Sequence, residues 1–366
     1  MKKIFASMMA AAMVVSLAGC SNGNSSESGS SANSESSSSA NSESVSSTTS
    51  ESVSSANSEG GSDNAAAYKL GMGVVTSTAS SAAGNAQVDA TVAAVVLDAD
   101  GKIVSCAIDV AQNKMDVTDG EVPEDAASMT FKSKKEKLEE YGMKPASAIG
   151  KEWYEQAEAF EAYVVGKTAD EVAAIPVETT DNGHVVTTDE TLKAGCTMSI
   201  SDFISATVKA CSDDSAADFT GDAKLALTTS TSVNSATASA ADGEDGTAAM
   251  YTSFAAVCYD EVQPKVTFDE AGEITSDPTA EIKTKREKKD EYGMRSASAI
   301  SAEWFEQNQA FETFVTGKTS AEISAIPTET TDNGHVVTTD ETLKAGCTMS
   351  VGGMIQTVVK AMGLVG

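Results

Sequence analysis

Two histidines serve all 366 residues, and 25 basic side chains stand against 54 acidic ones. Each shortage excludes a class of chemistry. His184 and His335 have no second histidine or cysteine at ligand spacing, so a histidine-based metal site has nothing to build on. No Ser/His/Asp arrangement and no paired catalytic carboxylates appear, which leaves hydrolysis without support. The acidic excess excludes nucleic acid as a partner. Beyond the first twenty residues no apolar run is long enough to span a bilayer. Of the six cysteines, Cys106, Cys211 and Cys258 do not recur at a fixed offset, so they define no disulfide framework and read as buried thiols.

What is present begins with a leader. Lys2 and Lys3 precede an apolar stretch, Ile4 to Ser16, that ends in Leu17-Ala18-Gly19-Cys20. This ending resembles the lipobox of bacterial lipoproteins. The resemblance implies removal of residues 1–19, a diacylglycerol on Cys20, and attachment to the extracytoplasmic face of the cell membrane by lipid alone. Loss of Lys2 and Lys3 leaves 23 basic side chains and a net charge of −31. Residues 20–63 are mostly Ser, Asn, Glu, Ala and Gly, with SANSES at 31–36 and 39–44. They bury too little to offset the entropy of ordering and read as a disordered tether with an end-to-end distance of roughly 35 Å.

The rest is a duplication. ETTDNGHVVTTDETLKAGCTMS stands at 178–199 and, unchanged, at 329–350. Tyr141-Gly142-Met143, Trp153, Phe160 and Gly166-Lys167-Thr168 all recur 151 residues later, whereas the match fades upstream of about residue 132. The reading is therefore two tandem domains, 64–211 and 223–366, joined by an acidic linker at 212–222 that few contacts should cross. Ala90 to Asp98 and Ile103 to Val110 predict a hairpin turning at Gly101. Ile149, Trp153, Ala157, Phe160 and Val164 share one helical face, Thr168 caps a short helix, and Ser201 is placed to cap a last one. Strands followed by helices predict an α+β fold, twice.

The verbatim segment carries the candidate chemistry. Ala194-Gly195-Cys196-Thr197 precedes the final helix, and Ala345-Gly346-Cys347-Thr348 repeats it. Small neighbours leave each threonine hydroxyl accessible, Gly195 is expected to let a ligand approach the backbone, and the helix start favours a phosphate. His184 and His335 sit in Asp-Asn-Gly-His, a turn sequence. Trp153 and Trp304 read as core. Tyr141-Gly142-Met143 and Tyr292-Gly293-Met294 either line a cofactor or end a strand.

These residues resemble the flavinylation motif of FMN-binding domains, such as the C subunit of the sodium-pumping NADH:quinone reductase. The order Tyr-Gly-Met, Trp helix, Gly-Lys-Thr and acceptor is similar to tandem FMN-binding lipoproteins of Gram-positive extracellular electron transfer. The resemblance implies FMN joined by an FAD-dependent flavin transferase to Thr197 and to Thr348, two per chain. It places Gly195, Cys196, Gly346 and Cys347 beside the cofactor and the two Tyr-Gly-Met runs along its ring. It also implies electron relay from a quinone-linked membrane donor to extracellular acceptors, by a carrier more than an enzyme. Departures exist: Ala194 stands for Ser, Cys196 for Ala, and Thr191 for the usual Asp. Cys196 and Cys347 are either small residues in the place of Ala or redox-active thiols. A cofactor-free, repeated binding or adhesion lipoprotein is the rival reading.

Overall fold

The run Val92-Ala93-Ala94-Val95-Val96-Leu97 has no polar break, and a strand of that kind needs cover on both faces. The computed structural model supplies it. Residues 67–214, 216–220, 225–237, 246–256 and 258–364 are described; the expected leader, the expected lipid site Cys20 and the expected tether lie outside the described residues.

The first copy opens with β1 (Ala67–Ser77), β2 (Asn85–Leu97) and β3 (Ile103–Asp116), an antiparallel meander. Helices follow: α1 (Lys134–Lys137), α2 (Trp153–Val164) and α3 (Ala169–Ala173). A small hairpin, β4 (Val177–Thr179) with β5 (Val185–Thr187), leads to α4 (Glu190–Lys193) and α5 (Ser201–Cys211). Then β6 (Ala217–Thr220) pairs with β1. The second copy runs β7 (Thr228–Thr237), β8 (Gly246–Ala255), β9 (Tyr259–Val262), β10 (Lys265–Phe268), α6 (Lys285–Lys288), α7 (Trp304–Val315) and α8 (Ser320–Ser324). It ends with β11 (Thr328–Thr330), β12 (Val336–Thr338), α9 (Glu341–Lys344) and α10 (Gly352–Met362). The fold is α+β, and among the described residues no helix is long and apolar enough to cross a membrane.

On β2, Ala93, Val95 and Leu97 face Trp153, Ala157 and Phe160 of α2 and Phe203, Ala206 and Ala210 of α5. Val92, Ala94 and Val96 face the other way, onto Leu227, Ala256, Cys258 and Val262 of the second copy. Further along, Ala86, Val88 and Met115 meet Val233, Met250, Val266 and Phe268. The two sheets thus share their inner cores and carry helices on their outer faces. The expectation that few contacts cross between the copies is overturned: Ala65–Gly366 is one compact unit. Part of the stretch expected to be a linker is β6, the fourth strand of the first sheet.

The copies meet symmetrically. Lys209 pairs with Glu287 at 2.7 Å, and Lys360 with Glu136 at 2.6 Å. These are the same two positions, each 151 residues apart, exchanged between copies, which is how an isologous interface pairs its residues. Lys209 Nζ also donates to the carbonyl of Val74 on β1, and Lys360 Nζ to that of Thr229 on β7.

The fading of the upstream match has a structural cause. Ala90 pairs with Ala111 in the first copy, 21 residues away, whereas Thr252 pairs with Val262, the counterpart of Ala111, only 10 residues away. The second hairpin is shorter by eleven residues. Pro264, which has no N–H for a ladder, falls where β3 would continue and divides it into β9 and β10. The long first hairpin turns where expected, with Gly101 at φ +74°. Ile149 falls outside α2, which starts at Trp153 with a capping box from Glu152 and Glu155.

Because the inner core is common, unfolding should be common too. Trp153 and Trp304 report one copy each. Leu70→Ala, which empties a site between the sheets, should destabilise by about 2–5 kcal/mol. In paired Trp→Phe backgrounds the urea midpoints of both tryptophans should move together; movement of Trp153 alone would show separate bodies.

Asp260 supplies a second test. Its Oδ1 accepts from the backbone N–H groups of Glu261 (2.7 Å) and Arg286 (3.1 Å). Burial pushes its carboxyl up to about 7, against the pull of Arg286. An unfolded Asp titrates near 3.9, so the folded state holds its proton longer. Stability from this group is full below about pH 4 and is lost as pH rises through 7. Asp260→Asn keeps the accepting Oδ1 and should flatten part of that decline in denaturation midpoints measured from pH 4 to 8. Buried Asp109, raised in the same direction by burial, would retain its share.

Candidate functional site

Asp189 starts the site. Its Oδ1 accepts from the N–H groups of Thr191 (2.9 Å) and Leu192 (3.0 Å), capping the short helix α4. That accounts for an acid at this place. The carbonyl of Leu192 then accepts from both Gly195 and Cys196, at 2.9 and 2.8 Å, a tight close that turns Cys196 inward and Thr197 outward. The hairpin β4–β5 anchors the far end, where Ile200 N donates to the carbonyl of Val185 at 2.8 Å. The 22 repeated residues form one unit of hairpin, capped helix and threonine-bearing turn running into α5.

Several expected residues turn out to be held for other reasons. A Cβ on Gly195 would lie 2.7 Å from the Cβ of Ala159, and one on Gly346 2.8 Å from that of Ala310. The close approach that needs glycine is to α2 and α7 of the protein itself. Cys196 and Cys347 are fully buried in the helix-side cores, and burial pushes both thiols up to about 11. They pack as small apolar groups. His184 and His335 are exposed on their hairpin turns. Ser201 does not cap α5: Ile200 holds that position and no side chain caps the helix. Val351 stands likewise before α10. The first turn of α5 carries Asp202, whereas α10 begins Gly352-Gly353 with no acid.

The Tyr-Gly-Met turn and Thr197 share a neighbour, Gln156. Gly142, at φ +74°, closes the turn, and the N–H groups of Met143 (2.8 Å) and Lys144 (3.1 Å) donate to the buried carboxylate of Glu152. Tyr141 packs edge-on to Trp153, with Lys134 Nζ 5.1 Å from the tyrosine ring centre. Tyr292 and Lys285 repeat that contact at 5.1 Å.

The link between turn and acceptor is Gln156, which the sequence reading passed over. Its Oε1 accepts from Thr197 N at 2.9 Å and from Thr197 Oγ1 at 3.3 Å. Gln307 does the same for Thr348, at 2.8 and 3.3 Å. The available signal was a polar residue on a helical stripe otherwise made of Trp153, Ala157 and Phe160. Thr197 and Thr348 are themselves half-buried, so each combines a fixed backbone with partial exposure of the residue. A hydroxyl of this kind suits esterification by a phosphate. Among the described residues no group of three or more His, Cys, Asp or Glu could hold a metal ion.

No protein-family model matches the chain, and no solved structure matches it. One segment is 40% identical over 93 residues to a chlorophenol reductase of Desulfitobacterium hafniense. The match covers 22% of this chain and 28% of that reductase.

Gly195→Ala should cost about 1–3 kcal/mol through its clash with Ala159. Ala159→Gly in the same chain should restore most of the urea midpoint. A single substitution without effect would show that the turn is free to move off α2.

Proposed function

We propose that the chain is a lipid-anchored flavoprotein that relays electrons from a quinone-linked membrane donor to extracellular acceptors. FMN is carried covalently on Thr197 and Thr348, attached by an FAD-dependent flavin transferase. The observation that carries this reading is the recurrence of one arrangement: a half-buried threonine hydroxyl held by a buried glutamine, a few residues before a helix whose start no side chain caps. A helix start of that kind favours a phosphate. The resemblance of Ala-Gly-Cys-Thr to the flavinylation motif supports it, as does partial similarity to a protein named as a reductase.

Bound FMN would supply the redox chemistry, and the chain supplies attachment and orientation. Thr197 belongs to the helix-side layer of the first copy and Thr348 to that of the second, with both sheets between them. Each cofactor therefore meets its own partners on its own outer face. The anchor at Cys20 and the tether keep those faces within reach of the membrane.

Chain co-produced with a flavin transferase should stay yellow after denaturation and gain the mass of two FMN less two waters. Thr197→Ala should remove one unit, Thr348→Ala the other, and the double substitution all colour. Flavin retained by the double variant would place attachment elsewhere. None on the unaltered chain, with the transferase active on a control substrate, would favour the cofactor-free adhesion reading.

A further inference from the structure

Gln156 is 1% exposed, and so is Gln307. A polar side chain buried to that degree needs its partners satisfied. Gln156 Nε2 donates to Ser147 Oγ at 3.1 Å and to the carbonyl of Lys151 at 3.2 Å, and lies 3.5 Å from Met143 Sδ. Gln307 Nε2 has the corresponding set: Ser298 Oγ at 3.1 Å, the carbonyl of Ala302 at 3.1 Å, and Met294 Sδ at 3.5 Å. Lys151 has become Ala302 without changing the pattern, because only the backbone carbonyl is used. The Nε2 partners fix which way the amide faces. Flipped, it would set an N–H against the N–H of Thr197, so the oxygen must face the acceptor turn.

We propose that Gln156 and Gln307 are positioning residues that fix the acceptor threonine hydroxyl for transfer of FMN from FAD, an inference that rests on the flavinylation reading above. One oxygen accepts from both the backbone N–H and the hydroxyl of the same threonine. That sets the side-chain rotamer and engages the hydroxyl proton, leaving the oxygen lone pairs free of that bond. In the transfer, Thr197 Oγ bonds to the phosphorus of the FMN half of FAD. The P–O bond to AMP breaks, and AMP leaves with the bonding electrons. As the O–P bond forms, the hydroxyl proton leaves Gln156 Oε1 and passes to a base supplied by the transferase. The attacking oxygen needs placement in line with the phosphorus and the departing AMP. Gln156 meets that need without taking the proton.

The two copies provide an internal control. When the purified full chain is incubated with a flavin transferase and FAD at set pH, the tryptic peptides 194–209 and 345–360 differ in sequence beyond residue 199 and its counterpart, so loading of Thr197 and Thr348 is read separately by mass. Gln156→Met keeps the length of the side chain and removes the accepting oxygen. The initial rate at Thr197 should fall about 10- to 100-fold relative to Thr348, as expected for a displaced nucleophile. Gln307→Met should produce the mirror result. Gln156→Glu keeps an accepting oxygen and adds a base, so Thr197 should still load, and the ratio of Thr197 to Thr348 loading should rise with pH. A clamp with a purely structural role would give no such profile. Where Gln156→Met disturbs the Trp153 fluorescence of the first copy, the pH profile of Gln156→Glu decides. Equal loading at both sites in a folded Gln156→Met chain, or a flat ratio in Gln156→Glu, overturns the proposal. FMN on neither threonine of the unaltered chain would instead overturn the flavin reading on which it rests.

Discussion

Leu70, Met72, Val74, Val92 and Val96 on one sheet meet Leu227, Ala256 and Val262 on the other, and every further feature of the molecule rests on that contact. Apolar area removed from water contributes roughly 25 cal/mol per Å², and neither sheet could leave its inner face exposed. The sheets in turn give the helices something flat to lie on. Gly73 lets α5 come close: a Cβ there would lie 2.3 Å from the carbonyl oxygen of Ala206. With α5 and α2 seated, the Thr197 turn between α4 and α5 has a fixed floor. The placement of both threonines therefore depends on apolar packing at the centre.

Polar groups inside that contact set alignment more than strength. Asn113, fully buried, donates to Thr231 Oγ1 and to Thr252 Oγ1, each at 3.1 Å, and so ties the first sheet to the second. Arg286 lies 3.5 Å from Asp213 of the first copy and 3.7 Å from Glu312 of its own. Desolvation of such charges offsets much of their attraction, so the cluster adds little net strength. The first copy has a lighter version of the same feature, Lys135 with Glu161 at 2.7 Å. Divergence has been permitted around the interface, while the acceptor unit is unchanged.

How much of this could be read from the chain differs from residue to residue. The hairpin around Gly101 and the cap at Thr168 depend on neighbours in sequence, and both stand where expected. The interval of 151 residues identified every paired position in the helical part. Asp189 was noticed only as an acid displaced from a motif; its capping bonds to Thr191 and Leu192 explain it without reference to a ligand. Gln156 was missed because its partners, Thr197 and Ser147, lie 41 residues ahead and nine behind. Gly195 was assigned to a ligand's approach, although the neighbour that excludes a side chain is Ala159, 36 positions away.

Sequence by itself determined the duplication, the α+β order, the unbroken apolar strand and the pair of threonines placed before a helix. Each of these follows from local rules: residue period, turn-forming residues, small side chains and exact repetition. The tertiary structure alone decided that the two copies are one body, that part of the supposed linker is a strand, and that Cys196 faces the core while Thr197 faces out. Those outcomes depend on which apolar faces find one another. The unbroken run at Val92 to Leu97 says that both faces are covered, but not that the second cover is the other copy.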